Sequence, residues 1–319
     1  MNLPLVFFLA VVATGTKPEP ATPSIERLDP SLDRLIAPDT NVEILTNGFL
    51  WSEGPVWKDN RILFSDVPAD TIFSWAEGSE HAEIFLKPSG SDAGGVQGSN
   101  GLALDRDGRL VLCRHGDRSV ARIENDGSLT KLADRFEGKR FNSPNDLAIA
   151  NSGDIYFTDP PYGLGKGIEP ELPFHGVFRL HADGQVDLLI RDLKFPNGIA
   201  LSPDEKTLYV AVSDPSDTRI MAYDIQPDGK ISAGRVLFST ASLPKRPGVC
   251  DGLKVDLSGN LWATGPGGVL ITSPQGEHLG TILTGSAAAN CGWGGPENDT
   301  LYITAHKRLL RVKTLSKGL

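Results

Sequence analysis

The feature that most constrains the fold of this chain is a motif that occurs six times along it. Each copy begins with a polar residue, passes through small and apolar residues to a turn rich in Gly, Asp and Asn, and ends in a β-rich run. The polar residues at equivalent positions are Glu53, Asn100, Asn145, Asn197, Asp251 and Asn290. They are separated by 47, 45, 52, 54 and 39 residues. A period of roughly 40–50 residues with several strands in each repeat is typical of propeller blades.

The pattern within each repeat predicts four antiparallel strands. In the third repeat the predicted strands are Asp146–Ala150, Asp154–Thr158, Gly176–His181 and Val186–Ile190. The connecting turns carry the Asn, Asp and Gly residues that hairpin turns require. The sixth repeat ends one strand short, after Arg308–Val312, and a β-rich segment, Val42–Thr46, precedes the first repeat. We therefore predict an all-β, six-bladed β-propeller with four antiparallel strands per blade, its ring closed by the N-terminal strand.

The N-terminal residues differ from the repeats. The segment MNLPLVFFLAVVATGT has an apolar stretch of about ten residues, too short for a bilayer, which needs about 20. We interpret residues 1–23 as a signal peptide and linker, and residues 24–319 as the propeller. This predicts an exported protein, periplasmic or secreted, with a cytoplasmic protein as the alternative. Within Pro23–Ile36, the residues Leu28, Leu32, Leu35 and Ile36 predict a helix-like segment packed on the outside of the propeller.

Charge and cysteine content exclude several kinds of partner. The net charge is −9 and the pI is about 5.2, so neither nucleic acid nor an anionic membrane is an expected partner. The three cysteines, Cys113, Cys250 and Cys291, match no metal-binding spacing. Cys250 and Cys291 each lie next to the recurring polar residue in two neighbouring repeats, and the sequence leaves a disulfide between them open.

The recurring polar residues, which we call the polar column, identify a candidate site. The first strand of each propeller blade lines the central channel, so these side chains are expected to meet at one mouth. Glu53 and Asp251 contribute carboxylates, and Asn145 and Asn197 contribute amide oxygens. Oxygen donors without thiolate or imidazole favour a hard divalent cation, above all Ca²⁺, with Mg²⁺ or Mn²⁺ as alternatives. Zn²⁺ also remains possible, although it normally prefers His or Cys.

A structural role is the alternative for any single member of the column, because Asn and Asp are common in the turns that precede strands. Turn chemistry does not explain Glu53, which is followed by Gly54-Pro55. Further charged residues fall at the ends of the second strands and are predicted to form an outer ring: Asp66, Arg114, His115, Asp159, Asp214 and His306. A stiff loop, Asp159-Pro-Pro-Tyr162-Gly, is a candidate for shaping the pocket, with a simple tight turn as the alternative.

Four motifs resemble those of the gluconolactonase/regucalcin family of six-bladed propellers, in the same order: Ser52-Glu-Gly-Pro-Val-Trp57, Ser143-Pro-Asn-Asp146, Phe195-Pro-Asn-Gly198 and Cys250-Asp-Gly252. Residues 142–163 are especially similar to bacterial gluconolactonases. The resemblance implies that Glu53, Asn145, Asn197 and Asp251 hold one divalent metal ion, with Ca²⁺ favoured. It also implies that the reaction is hydrolysis of a small-molecule sugar lactone.

The resemblance further implies roles for single residues. Asp251 matches a ligand that also handles the proton, so we expect it to accept a proton from water and return it to the ring oxygen while the metal polarises the carbonyl. Asn100 matches a substrate-contacting position. Regucalcin-type members carry an Arg two residues before that Asn, where this chain has Gly98. We therefore expect the sugar to be recognised by other groups, with Arg114 and His115 as the candidates.

Three other functions remain open from the sequence. The same metal site would suit a phosphotriesterase or another esterase. The chain could instead be a non-catalytic propeller that binds a ligand, since fold does not imply function. A calcium-binding regulatory protein is the third alternative. The intact polar column argues against a scaffold, and export argues against a cytosolic calcium role.

Overall fold

The structure, a computed structural model, describes residues 22–94 and 97–319. The predicted signal peptide lies almost entirely outside the described residues, so its cleavage and the export of the protein stay predictions. The described residues form six antiparallel sheets of a six-bladed β-propeller, as the repeat predicts. No helix within them is long and apolar enough to cross a membrane.

The first three blades each contain four strands that pair in chain order. The strands of blade 1 are Ser52–Lys58, Arg61–Asp66, Thr71–Ala76 and Glu83–Leu86. The strands of blade 2 are Ser99–Leu104, Leu110–Arg114, Ser119–Ile123 and Leu129–Ala133. The strands of blade 3 are Leu147–Ile149, Ile155–Asp159, Gly176–Leu180 and Val186–Ile190. A short hairpin, Arg135–Phe136 with Lys139–Arg140, joins blades 2 and 3.

The last three blades follow the same plan. The strands of blade 4 are Pro196–Leu201, Thr207–Val212, Arg219–Asp224 and Arg235–Ser239. The strands of blade 5 are Leu253–Val255, Leu261–Gly265, Gly268–Thr272 and His278–Leu283. Blade 6 contributes Asn290–Gly294, Thr300–Ala305 and Arg308–Lys313. The strand Val42–Asn47 completes it by pairing antiparallel with Arg308–Lys313. The predicted closure of the ring by the N-terminal strand is therefore confirmed.

The predicted helix-like segment at Pro23–Ile36 is wrong. Ser24–Arg27 is a strand that pairs with His278–Leu283 as a fifth strand of blade 5, and Pro30–Arg34 is a single 3₁₀ turn. The outer edge of blade 5 offers unpaired backbone groups, and pairing with them stabilises a strand over a short isolated helix. Leu32, Leu35 and Ile36 are buried against blades 5 and 6 as expected, whereas Leu28 is 54% exposed.

The core lies between neighbouring blades, where the sheets pack face to face. Second strands are almost fully buried, as their apolar, β-branched and aromatic composition predicts. The rings of Trp262 and Trp293, from blades 5 and 6, meet edge to face with centroids 5.1 Å apart. Cys113, Cys250 and Cys291 are all buried and free, so the disulfide left open by the sequence is absent from the structure.

Glycines let the first strands approach one another around the channel. The residue after the polar column is glycine in four blades: Gly54, Gly101, Gly198 and Gly252. A Cβ atom added to Gly198 would lie 2.3 Å from the carbonyl oxygen of Asp251 in the next blade. The backbones of neighbouring first strands are therefore in direct contact next to the polar column, which brings the polar side chains of neighbouring blades close together.

We expect Gly198→Ala to lower the free energy of unfolding by about 1–3 kcal/mol, because overpacking against backbone cannot be relieved by a rotamer change. Urea denaturation measures the effect. Gly165→Ala is the control, because its added Cβ would meet only the flexible side chain of Ile168. Equal stability of the two variants would contradict the close packing at Gly198.

Candidate active site

One mouth of the channel opens into a cavity of about 440 Å³. Five members of the polar column line it: Glu53, Asn100, Asn145, Asn197 and Asp251. The sixth, Asn290, is buried, and its Nδ2 donates to Asp146 Oδ2 at 3.3 Å. His115, Tyr162 and Trp51 complete much of the wall. The structure thus brings together side chains from five blades, as the repeat predicts.

The three asparagines of blades 2, 3 and 4 form a chain of hydrogen bonds around this mouth. Asn100 Nδ2 donates to Asn145 Oδ1 at 2.8 Å, and Asn145 Nδ2 donates to Asn197 Oδ1. Asn197 Nδ2 donates to Ser213 Oγ at 3.0 Å, and that hydroxyl donates to the carbonyl oxygen of Cys250. Each amide is therefore held by its neighbour, which fixes the positions of the oxygen atoms at the mouth.

Glu53 and Asp251 are carboxylates with little access to water. Burial and the charge of Asp146 raise the pKa of Glu53 to about 7. Burial and the charges of Glu53 and Asp146 raise the pKa of Asp251 well above its usual range. Glu53 accepts hydrogen bonds from the Gly54 backbone N–H at 3.2 Å and from Trp51 Nε1 at 3.4 Å. At neutral pH these two carboxyl groups are therefore stabilised by binding protons or by a nearby cation.

The donor set fits a hard divalent cation. Asp251 Oδ1 and Asn100 Oδ1 are buried and have no hydrogen-bond partner within the described residues. Unpartnered buried oxygens of this kind are suited to ligating a cation or accepting from a substrate. Within the part of the chain that the structure describes, no group of three or more His, Cys, Asp or Glu residues could hold a metal ion. A metal site here thus depends on the amide oxygens of Asn145 and Asn197 as well as on the two carboxylates.

His115 lies at the cavity, as predicted. Its Nε2 is 3.2 Å from Asn145 Oδ1, and its Nδ1 is 3.3 Å from Gln97 Oε1. Burial lowers the pKa of His115 to about 4, against the opposing effect of the Asn145 hydrogen bond. The imidazole is therefore neutral at pH 7 and carries one N–H, which it can donate to the amide oxygen of either Asn145 or Gln97, since both oxygens only accept.

The structure does not bring Arg114 to the cavity. Its guanidinium is buried and donates to the Ser89 carbonyl at 3.0 Å, to Asp117 at 2.8 Å and to Asp92 at 2.9 Å. All three partners lie in loops beside blade 2, so Arg114 holds these loops together.

Gly98 lies in a tightly packed part of this loop region, because a Cβ atom added to it would lie 2.8 Å from Ser89 Oγ. An arginine at position 98 would therefore displace this loop.

Two members of the predicted outer ring have structural roles. Asp66 accepts from the backbone N–H groups of Leu50 and Trp51 at 2.9 and 3.0 Å. Asp159 accepts in the same way from Asn142 and Ser143, at 2.7 Å each. Each carboxylate holds the segment that enters the first strand of its own blade, which helps to position the polar column.

The Pro-Pro loop does shape the cavity. The ring of Tyr162 stacks on Phe195 with centroids 5.7 Å apart and forms part of the wall. Burial raises the pKa of Tyr162 to about 12, so its hydroxyl stays protonated at neutral pH. The loop is fastened at its base, where the Gly163 backbone N–H donates to Ser143 Oγ at 2.8 Å.

Sequence reasoning missed a third carboxylate near the site, the buried Asp146. It lies close enough to Glu53 and Asp251 to raise both of their pKa values. A signal for it was present in the repeat, because the residue after the polar column is glycine in four blades and Asp146 in blade 3. A carboxylate at a position that has no side chain in four other blades indicates a group that faces the channel.

The fold and site define a six-bladed propeller with an acid–amide site at one mouth of its channel. The chain belongs to the SMP-30/Gluconolactonase/LRE-like family, whose model matches residues 51–307. It is 39% identical over 314 residues to a gluconolactonase of Zymomonas mobilis, which spans 92% of this chain and 87% of that protein.

Two further comparisons agree with this assignment. The solved structure of a gluconolactonase from Xanthomonas campestris superposes with a TM-score of 0.82 at 34% identity, covering 92% of this chain and 97% of that one. A pentonolactonase of Haloferax volcanii is 28% identical over 261 residues, or 79% of this chain and 80% of that protein.

Proposed function

We propose that this protein is a lactonase of the gluconolactonase type, which hydrolyses the ring ester of a sugar lactone with the help of one divalent cation. The observation that carries the proposal is the meeting of Glu53, Asn145, Asn197 and Asp251 in one cavity. The similarity to gluconolactonases of Zymomonas and Xanthomonas supports the ester bond and the sugar lactone as substrate.

Glu53, Asn145, Asn197 and Asp251 would hold the cation, for which Ca²⁺ is favoured because all four donors are oxygens. When bound, a divalent cation supplies Lewis-acid stabilisation of the charge that develops on the lactone carbonyl oxygen. Burial of Glu53 and of the Oδ1 atom of Asp251 supports the assignment, since a cation offsets the cost of ionising both carboxylates.

Asp251 is the better of the two carboxylates to handle the proton. Glu53 is engaged by Gly54 and Trp51, whereas Asp251 keeps one oxygen without a partner in the described structure. Asp251 accepts a proton as the water oxygen bonds to the carbonyl carbon. It returns that proton to the ring oxygen as the ring C–O bond breaks. Atoms and charge balance without any further reactant.

Three side chains are placed to contact the sugar. The unpartnered Oδ1 of Asn100 can accept from a hydroxyl of the substrate. His115 and Tyr162 lie on the same cavity wall, and the ring of Tyr162 offers an apolar face to the sugar carbons. We assign Asn100 and His115 as substrate-binding, with Tyr162 as a wall of the pocket.

A substrate panel tests the reaction class. We expect hydrolysis of glucono-1,5-lactone and of a pentonolactone well above the spontaneous rate, with little action on an aryl ester or an organophosphate triester. Acid release in weakly buffered indicator solution measures all four reactions. Preferential hydrolysis of the phosphotriester would assign the site to phosphoryl transfer instead, and turnover of none would leave a ligand-binding propeller.

A further inference from the structure

Two charged residues interrupt the repeat inside the channel. The first is Asp146, which takes the place of the glycine found after the polar column in four other blades. The second is Lys254, three residues after Asp251 in blade 5. The equivalent residues of the other blades are all apolar: Val56, Ala103, Ala148, Ala200 and Trp293. Neither charge is required by the propeller fold, because the other blades form their first strands without one.

Asp146 and Lys254 form an ion pair. Lys254 Nζ lies 3.8 Å from Asp146 Oδ2 and donates to the Leu253 carbonyl at 3.1 Å. The side chain of Asp146 is 2% exposed and that of Lys254 is 25% exposed. Asp146 Oδ1 accepts from the Leu147 backbone N–H at 2.9 Å, and Oδ2 accepts from Asn290. The carboxylate is therefore held on both oxygens.

The pair lies between two cavities. Lys254 lines a second cavity of about 510 Å³, whose other walls include Val56, Ala148 and Trp293 from the far half of the channel. Asp146 directly follows Asn145, which lines the first cavity, and its charge acts on both Glu53 and Asp251. The ammonium thus approaches the acidic site from the opposite mouth and contacts the carboxylate that borders that site.

We propose that the Asp146–Lys254 pair sets the electrostatic potential at the first cavity, which the polar column lines, and thereby the affinity of that cavity for a divalent cation. The proposal rests on the proposed function, because it takes the cation to bind in the first cavity. Glu53 and Asp146, which are buried, and Asp251, which is half-buried, carry three negative charges when all are ionised. Lys254 and one divalent cation carry three positive charges, so the channel is neutral when the cation is bound. Asp146 and Lys254 are positioning residues and not ligands.

Removing the charge of Asp146 and removing the charge of Lys254 should change the affinity for Ca²⁺ in opposite directions. We expect Asp146→Asn to weaken Ca²⁺ binding roughly tenfold or more, because it removes a nearby negative charge and leaves the ammonium in place. We expect Lys254→Met to tighten Ca²⁺ binding several-fold, because it removes a repulsive charge while keeping the length of the side chain. The double variant should return to within about threefold of the wild type.

Calorimetric titration of Ca²⁺ into the full chain, stripped with chelator and held at pH 8, measures these affinities. Lys313→Met is the matched control, because the side chain of Lys313 is 64% exposed and pairs with Asp299 at the end of a strand of blade 6. Lys254→Arg keeps the charge and should keep the affinity within about threefold. Apolar residues occupy the position of Lys254 in the other blades, so Lys254→Met should fold, and thermal unfolding checks this.

Opposite shifts in the two single variants, with reversal in the double variant, would support the proposal. Weaker binding in both would indicate a structural defect and overturn it, and unchanged binding in both would overturn it as well. Failure of the wild type to bind Ca²⁺, Mg²⁺, Mn²⁺ or Zn²⁺ would refute the cation-dependent function itself. That result is distinguishable from a wild type that binds while its variants do not differ.

Discussion

Asp251→Asn should lower kcat for lactone hydrolysis by about 10²–10⁴-fold at saturating cation, the range that positioned acid–base groups contribute. The amide keeps an oxygen that can ligate the cation but cannot accept the proton of the attacking water. Glu53→Gln should behave differently, with much weaker cation binding but kcat within about tenfold once the site is filled. Steady-state kinetics at several cation concentrations separate these two effects.

A carboxylate outside the cavity provides the control for this comparison. Asp214 accepts from Ser216 in an exposed turn of blade 4 and does not line the cavity. Asp214→Asn should therefore leave both kcat and the cation dependence unchanged. Near-normal turnover of Asp251→Asn at full cation occupancy would rule out Asp251 as the proton acceptor.

The cation-free protein should lose stability as the pH rises through about 7. The pKa of Glu53 is raised from 4.5 to about 7 on folding, so the folded state binds the proton more tightly than the unfolded chain. The stability that this proton contributes is complete below about pH 4.5 and is lost as the pH passes the folded pKa. At about 1.4 kcal/mol per pKa unit, Glu53 alone accounts for about 3 kcal/mol. Asp251 acts in the same direction.

Glu53→Gln isolates this contribution, because other groups titrate in the same range. The lowered pKa of His115 makes the folded protein lose stability as the pH falls, which opposes the effect of Glu53. Chemical denaturation of the wild type and the variant without cation should give a difference that changes by about 3 kcal/mol between pH 4.5 and 8.5. Ca²⁺ should restore the wild type at high pH. A difference that is independent of pH would contradict the raised pKa of Glu53.

The fold could be predicted from the sequence because a repeat fixes both the strand count and the direction of side chains. Val42–Asn47 was predictable as the closing strand, since blade 6 ends one strand short. Five polar residues meet in one cavity because they occupy one position of a repeated strand. Pro23–Ile36 was predicted wrongly, because its strand depends on an edge of blade 5 that is about 250 residues away in sequence.

The site was less predictable where contacts come from loops. Arg114 ends a strand at the expected mouth of the channel, yet its guanidinium donates hydrogen bonds to Ser89, Asp92 and Asp117, whose positions no repeat specifies. Asp146 could have been found from the glycines that it replaces. Its pairing with Lys254 follows only from the arrangement of blades 3 and 5 around the channel.

Hydrolysis of glucono-1,5-lactone by chelator-treated protein tests the central claim most directly. Acid release is followed before treatment, after removal of metal, and after separate addition of Ca²⁺, Mg²⁺, Mn²⁺ and Zn²⁺. We predict hydrolysis above the spontaneous rate that is lost on chelation and restored best by Ca²⁺. Full activity in protein shown to be free of metal, or no hydrolysis with any of the four ions, would contradict a cation-dependent lactonase.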